Sequence, residues 1–340
     1  MRQVLVDGKG DIVVRNVDAP RVGENGILSQ TAFSLISTGT ETMGIRSRRA
    51  KPNPAAKDAP LGYTNSGKVI SVGANVQGIE VGDRVGNYGS PSAFGGHVET
   101  CCITRNLFVK LPENVDFRAA AFTGLGGIAI QAVRRANLTF GEYAVVVGLG
   151  VLGQLIARVC SAAGYRVIAT DFLDERIGIA RNVGIRTLRA SDKLVSEVES
   201  ATHGHGADAV LICAAADSSE PITQALQMIR FGGRIVMVGV TKMEVDRTLF
   251  FAKEADFVIS RAAGPGRYDP VYEGEGRDMP YPFVRWTEGR NLQEFIRLIS
   301  EKRVRVDDLV SHEFPVEQAA AAYDMVLDHP QETLGVLLKY

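Results

Sequence analysis

Cysteine is scarce in this chain: four residues in 340, Cys101, Cys102, Cys160 and Cys213. Their number and irregular spacing exclude a disulfide-stapled scaffold. Net charge is nearly absent as well, at −1, with 38 Lys and Arg against 39 Asp and Glu. That balance removes any global electrostatic case for binding nucleic acid or an anionic membrane. The most basic stretch, Arg46–Lys57, also carries two prolines and reads as an exposed loop. There is no long apolar run. The most apolar region, 143–169, is broken by glycines and by Arg158, which fits strand–helix–strand better than a membrane span. Residues Met1–Gly10 are polar and hold no apolar signal segment, so a cytoplasmic protein is expected. Repeats and low-complexity tracts are missing too.

What is present is ordinary for a globular chain: 45% hydrophobic and 23% charged residues, and a length that allows two domains with separate cores. The first hundred residues are β in character. Gln3–Val6 and Ile12–Val14 read as a hairpin about Asp7-Gly8-Lys9-Gly10, and Gly26–Leu35, Gly67–Val72, Asp83–Tyr88 and Gly96–Thr104 as further short strands. Cys101 and Cys102, adjacent in the last of these, should face opposite ways. From Asp116 to about Asn137 the period becomes helical. An alternating block follows, with strands at 143–147, 166–170, 186–188, Ala209–Cys213 and Arg234–Gly239 separated by helices. This alternation predicts a parallel, doubly wound sheet, hence an α/β protein. Asp256–Ile259 is one more apolar run, and a helix (Leu292–Ser300) and a β tail close the chain.

The most informative stretch is Tyr143-Ala-Val-Val-Val-Gly148-Leu149-Gly150-Val151-Leu152-Gly153. An apolar strand runs into G-x-G-x-x-G and on into a helical pattern. A second strand then ends at Asp171, about twenty residues later, as a dinucleotide fingerprint requires. Gly148 permits the tight turn, Gly150 lets backbone amides approach a pyrophosphate, and Gly153 lets helix pack on strand. Gly148, Gly150, Val151, Leu152, Gly153 and Asp171 are therefore the candidate cofactor residues. An acid at the end of the second strand accepts bonds from a ribose 2′-hydroxyl and repels a 2′-phosphate, which favours NAD over NADP. Arg176, five residues on, does not by itself reverse that choice. His203 and His205 have metal-like HxH spacing but sit in a loop before a strand, and the loop reading is preferred.

Val81-Gly82-Asp83-Arg84-Val85, Gly95-Gly96-His97-Val98-Glu99 and Gly232-Gly233-Arg234-Ile235-Val236 resemble signatures of the medium-chain dehydrogenase/reductase family. Leu35-Ile36-Ser37-Thr38-Gly39-Thr40-Glu41 and Gly62-Tyr63-Thr64-Asn65-Ser66-Gly67 are similar, more narrowly, to a zinc-lacking subgroup. That subgroup includes the dehydrogenase halves of bi-domain oxidoreductases, with bacteriochlorophyllide dehydrogenases as more distant relatives. The resemblance implies a GroES-like β-rich catalytic domain (1–137), a Rossmann domain (138–265) and a C-terminal return (266–340). It also implies a homodimer, since Phe257–Ile259 resembles the family's dimer strand. Where zinc-dependent members carry metal ligands, this chain has Thr38, Tyr63-Thr64 and Thr123, and Gly89–Gly96 holds no cysteine of a structural zinc lobe. No zinc is expected at either site.

Without a metal, a protein group must handle the hydroxyl proton. Tyr63 stands where the resemblance places a zinc histidine, and is either the proton-handling phenol or a packing tyrosine. His97 is the second candidate, with a satisfied strand histidine as its alternative. Thr40 resembles a hydroxyl-relay position or simply caps its turn, and Glu41 binds a substrate hydroxyl or supports its neighbours. Arg267, Tyr268, Asp269, Arg285 and Trp286 form a polar-aromatic group suited to a polyhydroxylated substrate, or alternatively a salt-bridged interface loop. The expected activity is NAD-dependent interconversion of a secondary alcohol and a ketone on a cyclitol or sugar-like polyol. The alternatives are a zinc-free enoyl or quinone reductase and a catalytically silent NAD-binding protein.

Overall fold

A computed structural model describes residues 1–89 and 95–340, so residues 90–94 of the Gly89–Gly96 stretch lie outside the described residues. The chain forms two compact units, one of residues 1–127, 263–302 and 306–340, the other of 128–262 and 303–305.

The second unit is built on six parallel strands. Across the sheet they run Arg186–Arg189, Arg166–Asp171, Tyr143–Val147, Ala207–Ile212, Ile229–Met237 and Asp256–Ile259. Counted along the chain this order is 3-2-1-4-5-6, the doubly wound arrangement whose direction reverses beside its first strand. Val145, Ile168, Val210, Ile212 and Ile235 fill the core with Leu194, Val198, Ile222 and Leu226 from the helices. Strands covered on both faces must be almost wholly apolar, which is why they stood out in the sequence.

At the carboxyl end of the first strand Gly148 has φ +93°, a left-handed conformation that side chains disfavour. A Cβ on Gly153 would lie 1.8 Å from the Gly148 carbonyl oxygen, so only glycine lets the helix Val151–Ala162 start against that turn.

The first unit is mainly antiparallel. Strand Gly26–Ile36 is its centre, paired with Thr64–Val72 on one side and with Gly335–Lys339 and Thr100–Thr104 on the other. A small sheet of Arg2–Val6, Ile12–Asn16 and Ala59–Pro60 lies alongside in sequence. Val4, Ile36, Ile45, Tyr323, Val326 and Val336 share one core, while Ile27, Val69, Val85, Val98 and Cys101 share another. Cys101 is buried and Cys102 only partly so, as alternation along a strand requires.

Four sequence expectations need correction. The basic stretch from Arg46 is not simply a loop, because Thr40–Ala50 is a helix. Only Glu41, Thr42 and Ile45 of it are buried, which leaves almost no apolar period to detect. Its arginines are anchored to backbone, Arg48 to the Asp7 and Lys57 carbonyls and Arg49 to that of Gly10. The tail is not purely β: Ala319–Asp328 is a helix, and its run of alanines carries the highest helix propensity of any residue. The short helix Arg247–Lys253 also passed unnoticed. The strand expected over Gly96–Thr104 is regular only from Thr100, with Val98 making a single bridge to Gln3.

Substituting Gly153→Ala should force apart the turn and the helix start and destabilise the protein by about 2 kcal/mol or more. Thermal melting checks this, and an unchanged midpoint would contradict the packing described.

Candidate active site

The side chains with chemical capacity in the first unit gather around Glu41. This residue opens the Thr40–Ala50 helix and is only 6% exposed. Its Oε1 accepts the Ser37 backbone N–H at 2.7 Å. Its Oε2 lies 3.1 Å from His97 Nε2 and also accepts the Tyr323 hydroxyl. His97 is 0% exposed, with Nδ1 2.8 Å from Ser34 Oγ, and Ser34 Oγ is 3.3 Å from the Tyr340 hydroxyl. The donors run in one sense when Nε2–H points at the carboxylate and the Ser34 hydroxyl donates to Nδ1. Gly62 makes room for this ring. It has φ +81°, and a Cβ there would lie 2.6 Å from the imidazole.

Tyr63 joins the network from the neighbouring residue. Its hydroxyl donates to Ser37 Oγ at 2.5 Å. Burial, with the Glu41 carboxylate adding to it, pushes the phenol up to about 12 against the relief from the Ser37 bond. It therefore holds its proton through neutral pH. Thr40, Glu41, Tyr63 and His97 are thus brought together by the fold. His97 faces Glu41 and Ser34 and lies within the protein.

A second cluster abuts Tyr63 through Tyr88, whose ring meets Tyr63 edge to face at 5.8 Å. The Arg267 guanidinium stands 4.6 Å from the Tyr88 ring centroid and 4.7 Å from that of Tyr268, a cation held between two π faces. Its side chain is 7% exposed and pairs with Glu273 at 2.9 Å. Tyr268 itself has φ +65°, a strained conformation for an aromatic residue.

Of the remaining polar-aromatic group, Asp269 turns to backbone, its Oδ1 accepting the Val271 and Tyr272 amides at the start of the Pro270–Gly274 turn of helix. Arg285 is exposed and stacks on Trp286 at 5.7 Å.

In the second unit the glycine turn leads into the helix Val151–Ala162, whose first turn no side chain caps. A Cβ on Gly150 would meet nothing closer than Arg176 Nη1 at 4.0 Å. Open glycine backbone beside uncapped amides and the positive end of a helix fits a pyrophosphate. Asp171 accepts the Leu149 and Leu173 amides at 2.6 and 3.0 Å, which ties the turn to the strand end. A carboxylate has about four acceptor positions, so two remain for ribose hydroxyls.

Zinc is not matched by the residues at the implied ligand positions. Thr64 Oγ1 donates to the Ala121 carbonyl and accepts the Gly124 amide, and Thr123 Oγ1 donates to the Ala120 carbonyl. Neutral hydroxyls already spent on backbone are not the thiolate, imidazole or carboxylate donors that the metal takes. Among the described residues no group of three or more His, Cys, Asp or Glu converges on a point.

Comparison with known proteins agrees with this architecture. Residues 151–272 match the family described as zinc-binding dehydrogenase. The chain is 25% identical over 371 aligned residues to sorbitol dehydrogenase 2 of Saccharomyces cerevisiae, covering 98% of this chain and 97% of that protein. It is 27% identical to a putative D-xylulose reductase of Agrobacterium fabrum, covering 96% of each. A solved alcohol dehydrogenase from E. coli CFT073, complexed with NADH, superimposes over all of this chain and 99% of its own at TM-score 0.82 and 18% identity. Over nearly its whole length the chain is thus similar to dehydrogenases named for alcohols and polyols, which supports an oxidoreductase acting on CH–OH groups.

Several participants were missed by sequence reasoning. Ser34, in the central strand, and Ser37, just after its end, look like any other serines in the sequence. Tyr88 ends the strand expected over Asp83–Tyr88 but was not singled out as a site residue. Tyr323 lies in the overlooked helix, and Glu273 and Glu288 flank the polar-aromatic group without having been singled out.

Replacing Tyr323→Phe removes one donor from the buried Glu41 carboxylate without a change of volume. A loss of about 1–3 kcal/mol is expected from denaturant unfolding; an unchanged midpoint would mean that the hydroxyl contributes nothing to the network.

Proposed function

We propose that this chain is a zinc-independent, NAD-dependent dehydrogenase that interconverts a secondary alcohol and a ketone on a cyclitol or sugar-like polyol. The observation that carries the proposal is the Tyr63–Ser37–Glu41–His97 network, a proton-holding device made of protein groups alone. The full-length relatives named for sorbitol and xylulose support a polyol substrate. The NADH in the alcohol dehydrogenase structure, together with Asp171 at the strand end, supports NAD.

When bound, nicotinamide takes or supplies the hydride. The chain's own residues handle the proton. Tyr63, kept protonated by burial, donates its proton to the oxygen of a ketone being reduced and is left as phenolate; in the reverse direction that phenolate form takes the proton back from the hydroxyl of the alcohol. Ser37 and Thr40 hold the phenol in place, and Glu41, itself fixed by Tyr323 and His97, holds the Ser37 amide. Arg267, with its charge over Tyr88, favours the phenolate that Tyr63 transiently becomes. Tyr268, Asp269, Arg285 and Trp286 remain the proposed frame for substrate hydroxyls and sugar faces.

Among the described residues the edge strand Asp256–Ile259 pairs on one side only and leaves Ile259 half exposed, which supports the homodimer. A cytoplasmic location belongs to the same reading; among the described residues no helix is long and apolar enough to cross a membrane.

Incubation with NAD and a panel of inositols, sugar alcohols and simple alcohols, followed by NADH absorbance, should show turnover of a polyol. Tyr63→Phe should lower kcat by about 10²-fold or more with a much smaller change in KM. Enone reduction with NADPH preference, or NAD binding with no turnover, would overturn the proposal. Asp171→Gly should weaken NAD against NADP, and an unchanged preference would remove Asp171 from cofactor choice.

A further inference from the structure

The Arg267 cluster contains a carboxyl that nothing described so far uses. Glu288 opens the helix Glu288–Ser300 and is 0% exposed. Among the described residues, no N–H or O–H group donates to either of its side-chain oxygens. The amides nearby are already committed: Glu288 N–H to the Pro265 carbonyl, Gly289 N–H to the Tyr272 hydroxyl, Asn291 N–H to the Thr287 carbonyl. Arg267, the one cation in the cluster, gives its Nη1 to Glu273, and its buried Nε has no acceptor among the described residues. The charged and titratable groups facing Glu288 are therefore Glu273, Arg267, Tyr88 and Tyr272.

An ionised carboxylate without a single donor does not persist in a protein interior. The one acceptor-rich neighbour that acts on it is the Glu273 carboxyl, held close by the same Arg267, and two carboxyls can share a bond only when one of them carries a proton. Charge counting gives the same result, since one guanidinium balances one carboxylate.

We propose that Glu288 and Glu273 form a proton-sharing carboxyl pair, Glu288 being the protonated member, and that the pair is a positioning device for Arg267 against Tyr88 and Tyr63. With Glu288 neutral, Glu273 alone balances Arg267 and the guanidinium remains between its two tyrosine rings. Loss of the Glu288 proton to solvent adds a second negative charge, which opposes Arg267 and makes phenolate at Tyr88 less favourable still. Burial, then the neighbouring Glu273 charge, raises Glu288 to about 8 in spite of Arg267, so this change falls in a range that kinetics can reach.

The kinetic part rests on the dehydrogenase proposal; the protonation part does not. Infrared spectra of the whole protein should show a protonated-carboxyl C=O band at neutral pH that titrates near 8 and is missing in Glu288→Gln. In Glu273→Gln, which keeps Glu288 but leaves Arg267 free to pair with it, the band should titrate at lower pH. The native state keeps a proton that the unfolded chain gives up near 4.5, so wild-type thermal stability should fall as pH rises from about 5 to about 8, and this slope should flatten in Glu288→Gln. Ketone reduction should lose several-fold in kcat across the same titration in wild type, and Glu288→Gln should lose that limb whatever its absolute rate. A band that persists in Glu288→Gln overturns the pair. A band lost in Glu288→Gln with the kcat limb intact overturns the positioning role. Absence of any turnover in wild type refutes the dehydrogenase reading while the infrared titration still decides the pair.

Discussion

Glu41 is one buried carboxylate at the start of a short helix, and its donors come from the residues just before it and from two distant stretches of chain. The Ser37 amide comes from the end of the central strand, His97 from the glycine-rich segment after residue 94, and Tyr323 from a helix near the C-terminus. A buried charge is tolerated only when it is surrounded by hydrogen bonds, so each donor is bound to the carboxylate by the cost of leaving it bare. The conformations around it follow. Gly62 must be glycine to admit the imidazole, and the C-terminal strand Gly335–Lys339 must pair with Gly26–Ile36 to bring Tyr340 to Ser34. Tyr63 inherits its position from the same arrangement, through Ser37.

A second constraint reaches Tyr63 through its neighbour Tyr88. Arg267 is confined between the rings of Tyr88 and Tyr268, and its charge is shared between one carboxylate and two π faces. Tyr63 thus combines a hydrogen bond that fixes its oxygen with a neighbouring ring that carries a buried cation. In the proposed reaction, these two influences do what a Lewis-acidic metal does in zinc-dependent dehydrogenases: orientation from one, stabilisation of developing negative charge from the other.

The parallel sheet and its glycine turn were legible in the sequence because strands covered on both faces are written as unbroken apolar runs and because G-x-G-x-x-G has few structural uses. Tyr63, Glu41 and His97 were legible only as residues standing at positions the family resemblance made conspicuous; nothing local revealed that they touch. The helix Thr40–Ala50 left too few buried side chains to show a period, and Ala319–Asp328 showed propensity without a polar-apolar stripe. Tyr323 was lost with that helix. Glu288 was hidden for a different reason: an acid at a helix start has an ordinary explanation in the helix dipole. Its burial and lack of donors exist only in three dimensions. Asp269, by contrast, also caps the Pro270–Gly274 turn through Oδ1, a use that its place among polar and aromatic residues does not reveal.

The central claim is that Tyr63 and its protein partners, with no zinc, handle the proton. The direct test is metal content measured on active protein, alongside the polyol dehydrogenase rate before and after exhaustive chelation. The account predicts zinc far below one equivalent per chain and an unchanged rate. One equivalent of zinc, with activity lost on its removal and restored on its return, would contradict it.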